Sequence, residues 1–331
     1  MLNIFESDAF SFTSLTTAIN AIPEKPHELG QWFKWNAQGV NTQAIVVEEK
    51  AGSLAIIPTS ERGTVGRGVK SNARKLRSFV IPHYAHYDQI LAASVQGVRQ
   101  FGSEDQMETV VAKLAEKNAA MRADHEVTEE FAKAGAISGL LRDADGTTIY
   151  DWHIEFGVTR NAHDIDFEDA TLDVRAELVK AKRKAEIAIG GTILVSGWKL
   201  VCSTAVFDAI TQHPSVKAAY DRWQDGAALR ADLRKGFVLG DIEIVSYHNS
   251  KVGNVEFIGS DESFLVPVAS DLFQVRYAPA DTMEAANTIG LPLYGMSEPL
   301  PFGRGVDLCT ESNAIYYNPL PRAIVRIMQS A

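Results

Sequence analysis

Cysteine is scarce: two residues in 331, Cys202 and Cys309. That excludes a disulfide framework, and the pair lacks the spacing of a zinc site, so both read as small buried hydrophobes. Met1-Leu2-Asn3-Ile4-Phe5-Glu6-Ser7-Asp8 has neither the basic start nor the apolar stretch of a secretory leader, so none is expected, and the expectation is a start in a cytoplasm. Long hydrophobic runs are missing too. Uncharged apolar stretches such as Ile187 to Trp198 and Ala285 to Ser297 are interrupted by glycine and fall short of the ~20 residues that a membrane span needs. Proline is absent between Pro82 and Pro214, which leaves the middle free to build long helices. Positive charge is in deficit, with 32 Lys and Arg against 42 Asp and Glu, so a surface seeking nucleic acid or anionic membrane throughout is excluded.

What is present is an ordinary globular balance, 46% hydrophobic and 22% charged, long enough for two compact units or one large α+β body. Phe12, Leu15, Ile19 and Ile22 give a short helical arm stopped by Pro23 and Pro26. Gln43 to Val47 and Leu54 to Ile57 are β-branched runs laid out as a hairpin, and a third run, Phe79-Val80-Ile81, precedes Pro82. Between the last two, residues 62 to 77 hold Arg62, Arg67, Lys70, Arg74, Lys75 and Arg77 and no acid. This +6 window leaves −16 for the rest of a chain whose net charge is −10. Three readings stand for it: a solvated loop, a phosphate or nucleic-acid contact, or an arm that docks on an acidic face of another copy.

Tyr84, Tyr87, Leu91, Val95 and Val98 recur at helical spacing, which predicts an amphipathic helix to about Gly102. Ser103-Glu104-Asp105-Gln106 then forms a capping box that opens a long helix. Its apolar face runs Met107, Val111, Leu114, Asn118, Met121, His125, Thr128, Ala132, to about Lys133, roughly 45 Å at the helical rise. Glu104, Asp105, Glu108, Glu116, Asp124, Glu126, Glu129 and Glu130, against four bases, predict a negative exposed face. Alternation from Thr148 to Phe156 predicts a strand, Leu172 to Ala188 a helix, and 192 to 300 a mixed α/β region closed by a strand over Ala323 to Ile327.

No chemical motif is complete. Gly63 and Gly68 are spaced like phosphate-loop glycines, but Val69 stands where the lysine belongs and the chain runs on into a strand. His83 and His86, placed one helical turn apart, lack ligand partners, and His163 to Asp169 reads as surface acids. Asp143-Ala144-Asp145-Gly146 is a turn, since the twelfth position of a calcium loop would be Ile154. Ser138 is not in a nucleophile elbow, and Lys180, Lys182, Arg183 and Lys184 read as a solvated helix face.

In order, Phe79-Val80-Ile81-Pro82-His83, His213 to Tyr220, Tyr277-Ala278-Pro279-Ala280-Asp281, Asn287 to Tyr294 and Glu311 to Tyr316 resemble the major capsid protein E family of tailed bacteriophages, from about Phe12 to Met328. The resemblance implies an α+β chain of the Hong Kong 97-type capsid fold. Its parts would be an N-terminal arm (1–37), an extended β-hairpin loop (38–82), a peripheral domain (83–194) with a spine helix at about 104–134, an axial domain (195–300), and a return to the peripheral domain (301–331). It also implies hexamers and pentamers closing an icosahedral shell, assembled in the host cytoplasm as part of the virion. The partners would be portal, scaffold and decoration proteins and packaged DNA held without specific binding, with no membrane, cofactor, metal or catalytic residue. In that fold the basic loop would lie across a neighbouring subunit and meet the acidic spine face. Two other readings stay open: an encapsulin-type bacterial nanocompartment, and a phosphate- or nucleic-acid-binding protein that uses the basic loop.

Overall fold

The computed structural model describes residues 10–22, 27–50, 74–95, 110–221, 236–248, 251–253 and 255–329. Ser11 opens α1 (Phe12–Ala21), its hydroxyl accepting from the Ser14 amide, and α2 (Glu28–Trp32) follows. Then come β1 (Trp35–Gly39), β2 (Ala44–Lys50), β3 (Arg74–Val80), β4 (Tyr84–Leu91), the short α3 (Ala92–Val95) and the long α4 (Val110–Ser138). β5 (Leu140–Arg142) and β6 (Thr148–Asp151) form a hairpin, followed by α5 (Trp152–Phe156), β7 (Asn161–Ile165) and α6 (Val174–Ile189). β8 (Gly197–Cys202), α7 (Thr204–Gln212), α8 (Pro214–Asp221), β9 (Phe237–Leu239), β10 (Ile242–Ser246), β11 (Lys251–Val252), β12 (Val255–Glu256), β13 (Glu262–Val268) and β14 (Phe273–Tyr277) build the middle. β15 (Tyr294–Pro299), β16 (Gly305–Ser312), β17 (Ala314–Tyr317) and β18 (Val325–Gln329) complete it.

The main core lies on a six-stranded sheet in the order β7-β18-β13-β8-β10-β9. Leu200, Val201, Ile244, Phe264, Leu265, Val266, Val325 and Ile327 are buried there on consecutive as well as alternate positions, as befits strands covered on both faces. The buried row of α6, Val174, Leu178, Ala181, Ala185 and Ile189, packs on it at helical spacing. This sheet joins β7 and β18 to strands from residues 197–268, so it draws on distant parts of the chain. A second sheet, β15-β16-β4, lies under α4, with Phe10, Leu15, Ile90, Leu114, Met121, Val306 and Leu308 as its own small core. A third, β1-β14-β17, is sealed by Trp35 stacked on Phe273 at 4.6 Å.

Several expectations change. Residues 84–91 are a strand rather than a helix, Ala92–Val95 is helical, and the rest of the expected helix, 96–102, lies outside the described residues. The inward side chains Tyr84, His86, Asp88 and Ile90 alternate correctly, but His86 and Asp88 find partners on α4 in Asp124 and Lys117, so polarity masked the period of two. The predicted strand at 148–156 stops at Asp151, whose carboxylate accepts from the His153 and Ile154 amides and caps α5. Trp152 and Phe156 then bury as a helical i,i+4 pair and leave Ile154 76% exposed. α4 runs through Gly135 to Ser138, because the missing Cβ there lets the Leu140 carbonyl approach. The helix ends at Gly139, in the left-handed region at φ 81°. β2 pairs with β3, the run before Pro82; Leu54 to Ile57, the phosphate-loop-like glycines and the capping box at Ser103 lie outside the described residues. Cys202 is buried as expected, but Cys309 is only half-buried.

Candidate assembly surfaces

The β2–β3 ribbon begins where its inner face enters the core. Register pairs Ile45 with Phe79 and Val47 with Arg77, and Ile45 and Phe79 are buried. Phe79 meets the rings of Tyr150, Trp152 and Phe156 edge-on at 5.3–5.9 Å. The Tyr150 hydroxyl accepts from the Val80 amide and donates to the Val80 carbonyl, both at 3.0 Å, which pins the base of the ribbon. The other face carries the pairs Ala44–Val80, Val46–Ser78 and Glu48–Leu76. Here Val46, Leu76 and Val80 stand 62%, 67% and 64% exposed. A ribbon apolar on both faces but covered on one presents apolar surface that no described residue of its own chain buries. Sequence reasoning missed these three residues; the signal was apolar character on consecutive positions in a segment with no helix to cover it.

Of the six basic residues expected to dock, Arg62, Arg67 and Lys70 lie outside the described residues. Arg74 and Lys75 sit on β3, opposite Lys50 and Glu49. The Arg77 guanidinium lies over the Phe156 ring of its own chain at 5.9 Å.

The predicted acidic face of α4 is not a single exposed face. Glu104, Asp105 and Glu108 lie outside the described residues. Glu126 is buried and accepts from Arg122 Nε at 2.9 Å, while Arg122 Nη1 donates to the Ile19 carbonyl at 2.5 Å and ties α1 to the long helix. Glu130 is buried as well. Its Oε1 accepts from the Leu29 amide at 2.9 Å and the Tyr247 hydroxyl at 3.2 Å, Oε2 has no partner, and burial pushes the carboxyl above its usual range. Both point inward because a 29-residue helix packed against α1, α2 and the sheets has little solvent face to give. Glu116 pairs with Lys113 and Glu129 with Lys133; Asp124 is largely exposed and lies 3.4 Å from His86.

The histidines serve structure. His83 Nδ1 is 2.8 Å from Asn313 and 3.3 Å from Glu311, and His125 Nε2 is 3.0 Å from the Thr310 hydroxyl in a buried site. Among the described residues no group of three His, Cys, Asp or Glu side chains is placed to hold a metal ion, and no helix is long and apolar enough to cross a membrane. The Lys180–Lys184 cluster is largely paired, Lys180 with Glu177 and Lys182 with Asp241.

A long helix laid over a three-stranded sheet, a separate six-stranded sheet flanked by helices, and a two-stranded ribbon leaving the body define a subunit of the Hong Kong 97-type capsid fold. The fold is similar to that of a prophage capsid protein from E. coli CFT073, with a TM-score of 0.62 at 14% identity over 96% of this chain and 99% of that one. It also matches the mature capsid of bacteriophage PhiM1, with a TM-score of 0.57 at 12% identity over 100% and 92%. The chain belongs to the family "Phage major capsid protein E", which matches residues 11–328. Two curated relatives span nearly its full length: the major capsid protein of Pseudomonas phage KPP10, 26% identical over 96% of both chains, and that of Salmonella phage Felix O1, 23% identical over 100% and 99%. Membership makes it a structural protein of the phage head.

Proposed function

We propose that copies of this chain assemble as hexamers and pentamers into an icosahedral shell around a phage genome, each copy laying its β2–β3 ribbon on a neighbour. The observation that carries this reading is the outer ribbon face of Val46, Leu76 and Val80, exposed beside an inner face on which Ile45 and Phe79 are buried. Burying three such side chains contributes on the order of 1.5–3 kcal/mol each, repeated at every copy of the contact. Within this reading residues 1–37 are the N-terminal arm, 38–82 the extended loop, 83–194 and 301–331 the peripheral domain and 195–300 the axial domain. Portal, scaffold and decoration proteins would join at assembly. The net charge of −10 suits a container that holds DNA without gripping it. A bacterial nanocompartment would share the fold, but the full-length relatives are phage major capsid proteins, which favours the phage reading.

The test is Val46→Asp with Leu76→Asp. Circular dichroism should show a folded subunit, and negative-stain microscopy should show no closed particles where the unaltered protein forms them. Shells of normal yield from the double variant would overturn the reading.

A further inference from the structure

Five segments far apart in sequence bring charged side chains together between the β5–β6 hairpin and the six-stranded sheet. Arg142 lies on β5, Asp151 at the end of β6, Arg160 just ahead of β7, Glu262 at the start of β13 and Arg326 on β18. Arg160 is half-buried, and the charges that act on it are those of Asp151, Arg326, Glu262 and Arg142. Three cations therefore share two carboxylates, and both carboxylates are already engaged. Asp151 accepts from the His153 and Ile154 amides at the start of α5, and Glu262 accepts from Arg326 Nη2. Arg160 has no hydrogen bond or ion pair among the described residues. Arg326 Nε is shut off from solvent and also has no acceptor. Nor has the buried His153 Nδ1, which feels the Arg160 charge and lies 3.6 Å from Asp151 Oδ1. Burial above all pulls the pKa of Arg160 down, and Arg326 and Arg142 add to that, against Asp151 and Glu262.

A half-buried guanidinium with no acceptor is unfavourable, and the oxygens of an anion relieve it with charge-assisted hydrogen bonds. The surplus here is one positive charge. We propose that Arg160 and Arg326, with Arg142 at the exposed rim, form a binding site for a phosphate group that carries one negative charge, as a phosphodiester does. A tetrahedral phosphate presents oxygens in several directions and meets donors from separate segments, whereas a planar carboxylate is matched by a single guanidinium fork. Two sources supply that chemistry, a free phosphate compound and the backbone of an enclosed nucleic acid. The site stands on the side chains above, and only the second source rests on the assembly reading. Such a contact reads no base sequence and weakens with salt, so it is compatible with a body that is acidic overall.

The test uses the full-length subunit before assembly. Dimethyl phosphate should raise its Tm by roughly 2–4 °C over sodium chloride of equal ionic strength, and sodium acetate should not. Arg160→Gln should abolish the shift. Glu262→Gln removes a competing carboxylate and should tighten dimethyl phosphate binding about tenfold in calorimetric titration. Circular dichroism checks that both variants fold, and the opposite signs separate loss of a site from general damage. A shift that is absent, matched by acetate or unchanged by Arg160→Gln overturns the proposal, as does a folded Glu262→Gln subunit that binds no tighter. Fluorescence anisotropy with a short labelled single-stranded DNA then separates the sources. Binding about tenfold weaker to Arg160→Gln than to the unaltered subunit identifies the nucleic-acid backbone, and equal binding to both, with the dimethyl phosphate shift abolished, assigns the site to free phosphate compounds. None of these measurements needs a particle, so their failure leaves the assembly reading standing, whereas shells indifferent to Val46 and Leu76 sink that reading and leave this site untouched.

Discussion

The six-stranded sheet and the β2–β3 ribbon are built from similar residues and meet opposite fates. In the sheet, Phe264, Leu265 and Val266 are consecutive and all buried, because helices and loops of the same chain cover both faces. In the ribbon, Ile45 is buried and Val46 exposed, because the described residues cover one face only. On the assembly reading proposed above, the difference separates residues that make the subunit from residues kept for contacts between subunits. Truncation should therefore be read out in different places. Phe264→Ala leaves a cavity in the sheet and should lower subunit stability by about 3–5 kcal/mol in urea unfolding, with shells lost as a consequence. A Phe264→Ala subunit of unaltered stability that fails only at assembly would erase the distinction.

The contact between α4 and the β15-β16-β4 sheet sits between those extremes, since it is buried yet polar. His125 lies there with its ring 6.5 Å from that of His86, and burial above all, with the His86 charge adding to it, pushes its pKa down to about 4; Thr310 and Asp124 oppose the shift. An unfolded chain has a histidine pKa near 6.5, so between about pH 6.5 and pH 4 the unfolded state binds a proton that the native state refuses. Stability contributed by this site is intact above pH 6.5 and falls as pH drops through that window, by about 3 kcal/mol in all. His125→Gln keeps a group able to bond Thr310 and removes the titration. Urea unfolding of the unassembled subunit at pH 7.5 and pH 4.5 should show a smaller pH difference in the variant, and an equal difference would show that other groups set the acid response.

Much of this was legible in the sequence. Helices with apolar side chains on one face, α1 and α6, stand close to where periodicity puts them, and the buried side of α4 follows the expected row through Leu114, Asn118, Met121, His125 and Ala132. β4 escaped because His86 and Asp88 look solvent-facing until Asp124 and Lys117 are found across from them. The acidic face of α4 was overdrawn for the converse reason. A count of carboxylates along a helix does not show that Glu126 and Glu130 point inward, toward Arg122 in one case and toward Leu29 and Tyr247 in the other. The ribbon pairing needed distance, since β2 and β3 are separated by 23 residues whose run at 54–57 looked like the nearer partner.

The finest probe of the comparison is a substitution that the subunit should barely feel. Leu76→Thr keeps strand preference and changes a side chain that is already 67% exposed, so the subunit's urea midpoint should move by no more than ~0.5 kcal/mol equivalent. On the assembly reading proposed above, a neighbour covers the same position in a shell, and replacing the apolar side chain should forfeit roughly 1–2 kcal/mol at each copy. A closed shell repeats that loss at every subunit and makes each contact depend on others, so a deficit too small to see in one chain becomes a lower denaturant threshold for the particle. Light scattering of shells against urea, set beside fluorescence unfolding of the subunit, reads both quantities. A shift in the particle without one in the subunit places Leu76 among the residues kept for contacts between copies; equal shifts would return it to the subunit's own core.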